Sequence, residues 1–531
     1  MKKTYVMCAC VLSLIIGLTG CTGLKNQKNV NENKEVSEYD THLDISLSYW
    51  LIDDAFSDRE NDKVLKRIED KFNVTFVPVN VTWDDYYNKI IQWSESGQLP
   101  DVFAGAYRFE NNYLDFVKSG LLHDIPSDLS KYPNLSRYMD SPELESCKVG
   151  DKAYCIFRQT YSEQAETTKD RTIIYRWDLA KKAGIEKEPE NWDEFREMIQ
   201  TIIQKDPEGK HIQGMTAKGY TMLEGLLVDY SIPLASSGGS RFYWVNSNGR
   251  YVPALFAGKE LGEDALPTWH LIRDMYDEGT IEKDILLVTT SQAEEKFLNG
   301  KSAAICIDGG LSNTKLYENI GRFWKETNGS EFWDDVKYLE LMPDVNGELY
   351  YPVWDYAWSE TYINANVSDE KLERILAIYD YLLSEEGTLL SNFGIENESY
   401  KIAEDKSIEL IEGVTPSEMF PSIKTFSYLV CWNYGNLNTY RYPNIVPNEY
   451  ALKDEERVSK ARQVKVPEYS DECSLKFFEM GTDFNIDLNN IFSRMLVGPE
   501  PVEELWNTII DEYKEKGLER IIDKVNTEAV K

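Results

Sequence analysis

Short apolar runs alternate with amphipathic segments along the chain from residue 42 onward. The runs LDISLSYW, VTFVPVNV and LPDVFAG have the length and residue types of strands. Between them, two segments repeat apolar residues at helical spacing, as an amphipathic helix does. Strands and helices that alternate in this way are typical of a largely parallel sheet covered by helices. The pattern therefore predicts an α/β fold.

Local signals predict where several helices begin and end. Asn191, followed three residues later by Glu194, forms a capping pattern before an amphipathic segment. Ser368 is expected to cap a second helix, which we expect to end at Gly387. At the C-terminus, Gly517 is expected to separate two helices.

The N-terminus has the pattern of an export signal. Two lysines precede an apolar run, residues 6–18, that is too short to span a bilayer comfortably. The run ends in LTGC, which resembles the lipobox of bacterial lipoproteins, and this resemblance implies cleavage before Cys21 and a diacylglycerol on its thiol. An ordinary secretory signal that contains a cysteine is the alternative. We expect a signal peptide over 1–20 and, because almost no large apolar residues follow, a flexible tether over 21–41.

Charge and the absence of catalytic motifs narrow the function classes. Asp and Glu number 91 against 57 Lys and Arg, a net charge of −34. Phosphate binding needs a basic face, so a nucleic-acid partner is not expected. The chain has no G-x-S-x-G, G-x-G-x-x-G, P-loop or H-E-x-x-H motif. We therefore expect neither catalysis nor a cofactor, and the length suggests two or three lobes.

Two cysteines flank a predicted hairpin. The segment CKVGDKAYC has Gly150 and Asp151 at its turn and one cysteine on each side. Cys147 and Cys155 are therefore the candidate disulfide, because an exported protein can form one. Two reduced thiols are an equally open alternative. None of the cysteine spacings suits a zinc site.

Eight stretches follow one another in a characteristic order. They are SGQLPDVF, FVKSGLLHDI, VGDKAYCIF, IIYRWDLAKKAGI, NWDEFREMIQTIIQKDPEGK, FLNGKSAAICIDGG, LLSEEGTLLSNFGIENESY and the C-terminal MLVGPEPVEELWNTIIDEYKEKGLERIIDKVN. In this order they resemble the extracellular solute-binding proteins (family 1) that serve ABC importers. The resemblance implies a periplasmic-binding-protein-like fold with two α/β lobes, a hinge and a ligand cleft between the lobes. It places lobe 1 at 42–165 plus 355–425 and lobe 2 at 166–354 plus 426–531.

One loop departs from this family. Many large relatives carry a calcium loop of the type D-x-N-x-N-G after the position that corresponds to Asp206. Here KDPEGKHIQG has too few carboxylate and amide oxygens to surround the ion. We therefore expect no metal at this loop.

Aromatic and planar polar residues at predicted strand ends are the candidate ligand contacts, because a sugar offers apolar ring faces and a fringe of hydroxyls. The stretch YYPVWDYAWSETY, if extended, places Tyr350, Trp354, Tyr356 and Trp358 on one face. The alternative is that this face packs under a helix. The full candidate set is Trp50, Tyr107, Arg158, Arg176, Asp308, Trp354, Asp355, Tyr356, Trp358 and Trp432. For the two arginines, a role as salt-bridge partners is equally open.

The resemblance implies a receptor rather than an enzyme. We expect it to bind a carbohydrate, in particular an oligosaccharide, and to pass it to ABC permease subunits. Through the Cys21 lipid it would lie on the extracellular face of the cytoplasmic membrane. A cell-surface hydrolase that uses a carboxylate pair such as Asp355 and Glu360 is the first alternative. An adhesive lipoprotein without a transport role is the second.

Overall fold

Strands and helices alternate through most of the chain. The computed structural model describes residues 38–529 except 51, 53–54, 83–84, 162, 170, 218, 235–242, 309–313, 352, 354 and 431–445. The strands are β1 (Leu43–Ser48), β2 (Val74–Pro78), β3 (Val102–Gly105), β4 (Lys148–Val149), β5 (Lys152–Ala153), β6 (Ile156–Gln159), β7 (Thr172–Arg176), β8 (Gln213–Ala217), β9 (Trp244–Ser247), β10 (Arg250–Pro253), β11 (Ser302–Ile307), β12 (Val336–Tyr338), β13 (Ala357–Ile363), β14 (Tyr400–Ile402) and β15 (Ile408–Leu410).

Helices cover both faces of the sheets. They are α1 (Lys63–Phe72), α2 (Tyr86–Ser96), α3 (Asn111–Lys118), α4 (Pro133–Met139), α5 (Glu143–Ser146), α6 (Trp177–Lys182), α7 (Trp192–Lys205), α8 (Tyr220–Leu227), α9 (Leu266–Glu278), α10 (Thr290–Leu298), α11 (Thr314–Leu316), α12 (Arg322–Asn328), α13 (Phe332–Asp335), α14 (Asp369–Leu382), α15 (Glu385–Phe393), α16 (Pro416–Met419), α17 (Ile423–Val430), α18 (Asn448–Ala461), α19 (Asp471–Glu479), α20 (Leu488–Val497), α21 (Val502–Glu515) and α22 (Leu518–Ala529). Among the described residues, none of these helices combines the length with the hydrophobicity that a membrane span requires.

Five of the described strands form a first sheet in the order β2-β1-β3-β13-β6. Strand β1 pairs in parallel with β2 and with β3. Strand β13 runs antiparallel to both β3 and β6, so β6 points the same way as β1 and β3. The carboxyl ends of β1, β3 and β6 therefore lie together with the start of β13. We call this side of the sheet the first edge.

A second sheet contains four described strands in the order β12-β7-β11-β8. Strands β11 and β8 are parallel, whereas β7 runs antiparallel to its neighbours β11 and β12. Strands β8, β11 and β12 consequently end where β7 begins, and we call this side the second edge.

Two chain segments join these edges. Residues 160–171 lead from the end of β6 to the start of β7, and residues 339–356 lead from the end of β12 to the start of β13. Each segment leaves one edge and arrives at the other. In α/β sheets, ligands bind outside the carboxyl ends of the strands, so these joined edges are where a site is expected.

Separate hydrophobic clusters support the two sheets. Residues from Ile45 to Phe157 and from Ala357 to Val430 form the cluster around the first sheet. Residues from Ile173 to Leu339, together with helices α20–α22, form the cluster around the second. The predicted α/β fold is confirmed by this arrangement.

The predicted helix starts are confirmed at two caps. The side chain of Asn191 accepts a hydrogen bond from the N–H of Glu194 at 2.9 Å and begins α7. The Glu194 carboxylate accepts from the N–H of Glu190 instead of that of Asn191, so the capping pattern is shifted by one residue. Ser368 caps α14. Gly517 has a positive φ of 100° and separates α21 from α22, as predicted.

The predicted helix end at Gly387 is wrong. Helix α14 ends at Leu382, Ser384 caps α15, and Gly387 is buried in the first turn of that new helix. A Cβ atom on Gly387 would lie 1.9 Å from the carbonyl oxygen of Tyr381. The glycine therefore permits a close approach between two helices and does not end one.

Replacing Gly387 with alanine should lower the free energy of unfolding by about 1–3 kcal/mol, because the methyl group overlaps backbone atoms that cannot move aside easily. Chemical denaturation measures the change. The matched control is Glu385→Ala, an exposed position in the same turn, which should change stability by less than about 0.5 kcal/mol. Equal stability of the two variants would contradict the close approach.

Candidate ligand-binding site

Aromatic side chains from separate parts of the chain meet at the first edge. We call Trp50, Tyr86, Tyr87, Tyr107 and Trp358 the aromatic cluster. The ring of Trp50 lies 5.1 Å from that of Tyr86 and 5.1 Å from that of Trp358. The rings of Tyr87 and Tyr107 meet edge to face at 5.4 Å. Strand order brings them together, because Trp50 and Tyr107 follow β1 and β3 while Trp358 lies in β13.

The aromatic cluster has an exposed layer and a buried layer. Trp50 and Tyr107 are 2% and 1% exposed, whereas Tyr87 is 38% exposed and Trp358 is half-buried. The Tyr86 hydroxyl lies 3.0 Å from the carbonyl oxygens of Ser48 and Ala104. Tyr87 and Trp358 are therefore the rings that a ligand can reach. Trp50, Tyr86 and Tyr107 hold them from beneath.

Tyr87 was not among the sequence candidates. It lies in an amphipathic segment that becomes α2, and such positions are usually packing residues. Its signal was the tyrosine pair at the start of a helix that follows the carboxyl end of β2. Burial, together with Glu360 and Glu110, raises the pKa of Tyr87 to about 12. Its hydroxyl therefore stays protonated at neutral pH.

Arg158 lies behind the aromatic cluster. Its guanidinium carbon is 5.3 Å from the centre of the Trp50 ring and 5.8 Å from that of Tyr428. Its Nη1 donates to the hydroxyl of Ser359 at 3.0 Å. Because Arg158 is fully buried, it stabilises the inner side of the Trp50 indole and the pairing of β6 with β13. The structure places it under the predicted site and not on its surface.

Three carboxylates surround a second buried arginine. We call Arg108, Glu143, Asp355 and Glu360 the Arg108 cluster. Arg108 lies 2.6 Å from Glu143, 3.5 Å from Glu360 and 4.0 Å from Asp355. The backbone N–H of Tyr107 donates to Glu360 at 3.1 Å, and that of Tyr356 donates to Glu143 at 2.9 Å. The Arg108 cluster therefore fixes the backbone of two candidate residues, Tyr107 and Tyr356.

Asp355 serves this cluster. Its side chain is 7% exposed and faces Arg108, and it also accepts from the Tyr243 hydroxyl at 3.4 Å. Tyr243 immediately precedes β9 and packs in the hydrophobic cluster of the second sheet. Asp355 thus connects the two sheets through Tyr243. A ligand contact at Asp355 stays a prediction.

Burial raises the pKa of Glu360 to about 7, although Arg108, Tyr362 and backbone N–H groups act to lower it. An unfolded glutamate titrates near pH 4.3. Between these values the folded protein retains a proton that the unfolded chain has lost. Stability from this group is therefore present at pH 4 and is lost as the pH rises toward 7.

Glu360→Gln should remove this pH dependence, because the amide does not titrate. We expect the variant to exceed the wild type in free energy of unfolding by about 1–3 kcal/mol at pH 8, with a smaller gap at pH 5. Denaturant titrations across this pH range measure the difference. The exposed control Glu385→Gln should follow the wild type at every pH. A large loss of stability at both pH values would show that Glu360 is ionised throughout.

The predicted aromatic face along YYPVWDYAWSETY is wrong. Strand β13 begins only at Ala357, and the pairing with β6 skips Trp358, so that Ala357 opposes Gln159 and Ser359 opposes Arg158. An extra residue of this kind is a β-bulge, which breaks the strict alternation of sides. Trp358 lies at this bulge, and its ring contacts that of Trp50. Trp354 lies outside the described residues.

Tyr356 borders a separate depression at the same edge. The depression has a volume of about 390 Å³. It is lined by Asn134, Arg137, Tyr138, Asp140, Ser141, Pro142, Gln159, Tyr356 and Leu383. Arg137 is exposed there and donates to Asn134 at 2.7 Å. A half-buried tyrosine thus lies beside an accessible guanidinium, a pairing that the sequence candidates did not include.

Of the two predicted residues Asp308 and Arg176, one lies at the second edge. Asp308 lies directly after β11 at this edge, where it pairs with Lys315. Arg176 lies at the opposite end of its sheet, because β7 runs antiparallel to β11. Its guanidinium donates twice to Asp178, at 2.8 and 2.7 Å, and once to the carbonyl of Phe297 at 3.2 Å. Arg176 is therefore a salt-bridge partner, which was the alternative. The prediction that it contacts the ligand is wrong, because the residue lies at the end of the sheet away from the second edge.

The cysteines are separate thiols in the structure. The predicted hairpin is confirmed, since β4 and β5 pair across the turn. Cys147 and Cys155 are buried and free on either side of it. The Tyr113 hydroxyl donates to the Cys147 carbonyl at 2.5 Å and lies 3.7 Å from the Cys155 sulfur. The structure contains no bridge between the two. Trp432 and Cys21 lie outside the described residues.

In the loop after α7, the carboxylate of Asp206 binds backbone groups of the loop itself. Asp206 has a positive φ of 36°, and its carboxylate accepts from the N–H groups of Lys210, His211 and Ile212. Burial alone would raise the pKa of Asp206, but these N–H groups lower it. In the described part of the chain, no group of three or more His, Cys, Asp and Glu side chains is placed to hold a metal ion.

Two sheets joined by two crossing segments give the chain a periplasmic-binding-protein-like fold. The family is shown by the sequence as well. The chain belongs to the bacterial extracellular solute-binding proteins, whose sequence profile matches residues 60–388.

The individual relatives share a low sequence identity with this chain. Lipoprotein LipO of Bacillus subtilis (strain 168) is 26% identical over 345 residues, which are 64% of this chain and 64% of LipO. The match thus spans just under two thirds of the length of LipO. The polygalacturonan/rhamnogalacturonan-binding protein YtcQ of the same strain is 22% identical over 415 residues, 75% of this chain and 74% of YtcQ. The crystal structure of the alginate-binding protein AlgQ2 without calcium ion superposes with a TM-score of 0.67 at 16% identity, covering 94% of this chain and 100% of AlgQ2, and shows the shared fold.

Proposed function

We propose that this protein is a lipid-anchored extracellular receptor that binds an oligosaccharide and delivers it to the permease subunits of an ABC importer. The observation that carries the proposal is the pair of reachable rings, Tyr87 and Trp358, at the first edge. Flat aromatic rings suit the apolar faces of sugars. The buried layer beneath holds the two rings in place before a ligand arrives, which lowers the entropic cost of binding.

The proposed lobes are 42–165 plus 355–425 and 166–354 plus 426–531, with the ligand between them. The separate hydrophobic clusters around the two sheets support this division. A ligand that contacts both edges would stabilise the closed arrangement, and the permease would recognise that state. Nothing in this cycle requires a chemical step.

We further propose that the ligand contains uronate residues. YtcQ binds polygalacturonan and rhamnogalacturonan by its name, and AlgQ2 is an alginate-binding protein. Polygalacturonan and alginate are both polymers of acidic sugars. In this chain, the accessible guanidinium of Arg137 beside Tyr356 supplies a cation for a sugar carboxylate, in the planar geometry that suits it. The net charge of −34 does not exclude this, because a local arginine acts at short range.

Trp358→Ala should weaken oligogalacturonate binding about tenfold to a hundredfold, because it removes a reachable stacking ring at the centre of the site. Isothermal titration with galacturonate, alginate and malto-oligosaccharides of four residues measures the loss and the preference for acidic sugars. The matched control is Trp177→Ala, a half-buried tryptophan that follows β7 at the far side of the second sheet.

If Trp358→Ala and the wild type bind the ligand with equal affinity, the aromatic cluster is not part of the binding site. Binding of none of the three glycan series by the wild type would contradict the oligosaccharide proposal itself. Release of shortened glycans from the incubation would support the hydrolase in its place.

The lipid anchor has an independent test. Cells that express the wild type and are fed an alkyne analogue of palmitate should incorporate the label into the protein. Cys21→Ala should carry no label, since the acceptor thiol is gone. Cys8→Ala is the matched control in the same signal segment and should be labelled normally. A label that persists in Cys21→Ala would contradict anchoring through this residue.

A further inference from the structure

A partly open cavity with polar and apolar walls lies near the second edge, outside the aromatic cluster. Its volume is about 70 Å³, room for about five water molecules. Thr172 at the start of β7, Leu339 just after β12 and Trp192 at the start of α7 contribute to its wall. Tyr350, at the beginning of the aromatic-rich stretch, lines it as well. The cavity therefore borders the segment that ends at Trp358.

Asp229 is the unusual residue of this cavity. Although the residue as a whole is half-buried, both of its carboxylate oxygens are shielded from solvent, and among the described residues they have no hydrogen-bond partner. An unpaired buried carboxylate is costly, and such groups in folded proteins are normally satisfied. Burial raises the pKa of Asp229 well above its ordinary value. A ligand hydroxyl that donates to Asp229 would supply the missing partner.

Two further buried polar groups of residues that line the cavity have no hydrogen-bond partner in the described structure. They are the hydroxyl of Thr172 and the Nη1 of Arg457. The other acids of the wall are engaged. Glu340 pairs with Lys460 and Glu348 with Lys465, and Asp344 accepts from the backbone N–H groups of Asn346 and Glu348. The occupant must therefore donate to a carboxylate and accept from a guanidinium.

Sugar hydroxyls do both, since each is a donor and an acceptor. Lysines neutralise Glu340 and Glu348, which leaves Asp229 and Asp344 against Arg171 and Arg457 in the wall. The wall therefore has no excess of positive charge that would favour an anionic occupant. The apolar side chains of Trp192, Leu339 and Met342 complete a surface that suits a ring face.

We propose that this cavity is a subsite for one neutral sugar residue of the bound oligosaccharide, with Asp229 as its hydrogen-bond acceptor. The subsite rests on the proposed function and extends it, because it separates a neutral position near the second edge from the uronate position beside Arg137. The protein would then prefer a glycan in which neutral and acidic residues occur together.

The test compares two glycan series by isothermal titration on the full mature chain. Rhamnogalacturonan oligosaccharides alternate neutral and acidic residues, whereas oligogalacturonates of the same lengths are acidic throughout. Asp229→Asn should weaken rhamnogalacturonan binding at least tenfold and leave oligogalacturonate binding within twofold of the wild type. Thr172→Val, which keeps the shape and removes the hydroxyl, should act in the same direction. Trp358→Ala is the comparison that should weaken both series.

Folding is checked separately by thermal unfolding without sugar. Asp229→Asn should unfold at the wild-type temperature or above it, because the amide carries no charge to bury. If the wild type binds rhamnogalacturonan fragments and both cavity variants bind them equally well, the subsite is overturned and the proposed function stands. An equal loss in both glycan series overturns the neutral assignment. If the wild type binds neither series, the proposed function for acidic glycans fails, and the subsite fails with it.

Discussion

The buried guanidinium of Arg108 is the constraint on which the first edge depends. Arg108 follows β3 by three residues, and it binds Glu143 of α5 at 2.6 Å and the carbonyl of Ala357 at 3.0 Å. One side chain therefore holds the end of one strand, a short helix and the start of β13 together. Because the group is buried among three carboxylates, its charge is balanced only when all these segments are in place.

The aromatic cluster follows from that arrangement. The Arg108 cluster fixes the backbone at Tyr107 and Tyr356, and the β-bulge then directs the ring of Trp358 to within 5.1 Å of the Trp50 ring. Arg158 supports the same indole from the buried side. The reachable rings thus belong to a rigid, preformed surface, which is the condition under which aromatic contacts contribute most to binding.

The segment from Tyr350 to Trp358 connects two chemically different environments. Tyr350 lines the cavity that contains Asp229, and Trp358 lies in the aromatic cluster. Between them, Asp355 contacts both Arg108 and the Tyr243 hydroxyl of the second sheet's cluster. A displacement of this segment would therefore change both environments at once. In a protein whose two halves are proposed to close on a ligand, such a segment couples the occupied site to the arrangement of the sheets.

Several features of the fold followed from the sequence alone. Hydrophobic periodicity indicated strands and helices in the observed order, because burial requires one apolar side per element. The caps at Asn191 and Ser368 could also be predicted from the sequence. The free N–H groups at a helix start are bound by side chains within the same few residues. The family was readable from the order of its motifs. Trp50 and Tyr107 were identified as candidates because strand ends in such folds meet at one edge. Trp358 was identified from the aromatic density of its stretch.

What the sequence could not decide depended on contacts between distant residues. The sequence around Gly387 is helical whether the glycine ends one helix or begins the next. Only the structure shows that the carbonyl of Tyr381 leaves no room for a side chain at this position. The role of Arg176 depended on the direction of β7 against β11, which no local pattern records. The bulge at Trp358 arises from the pairing of β13 with β6. The accessibility of Tyr87 arises from the position of α2 beside β3. The sequence determined which residue types were available for binding sugar. Tertiary packing decided which rings face solvent, because exposure is a property of neighbours that are far away along the chain.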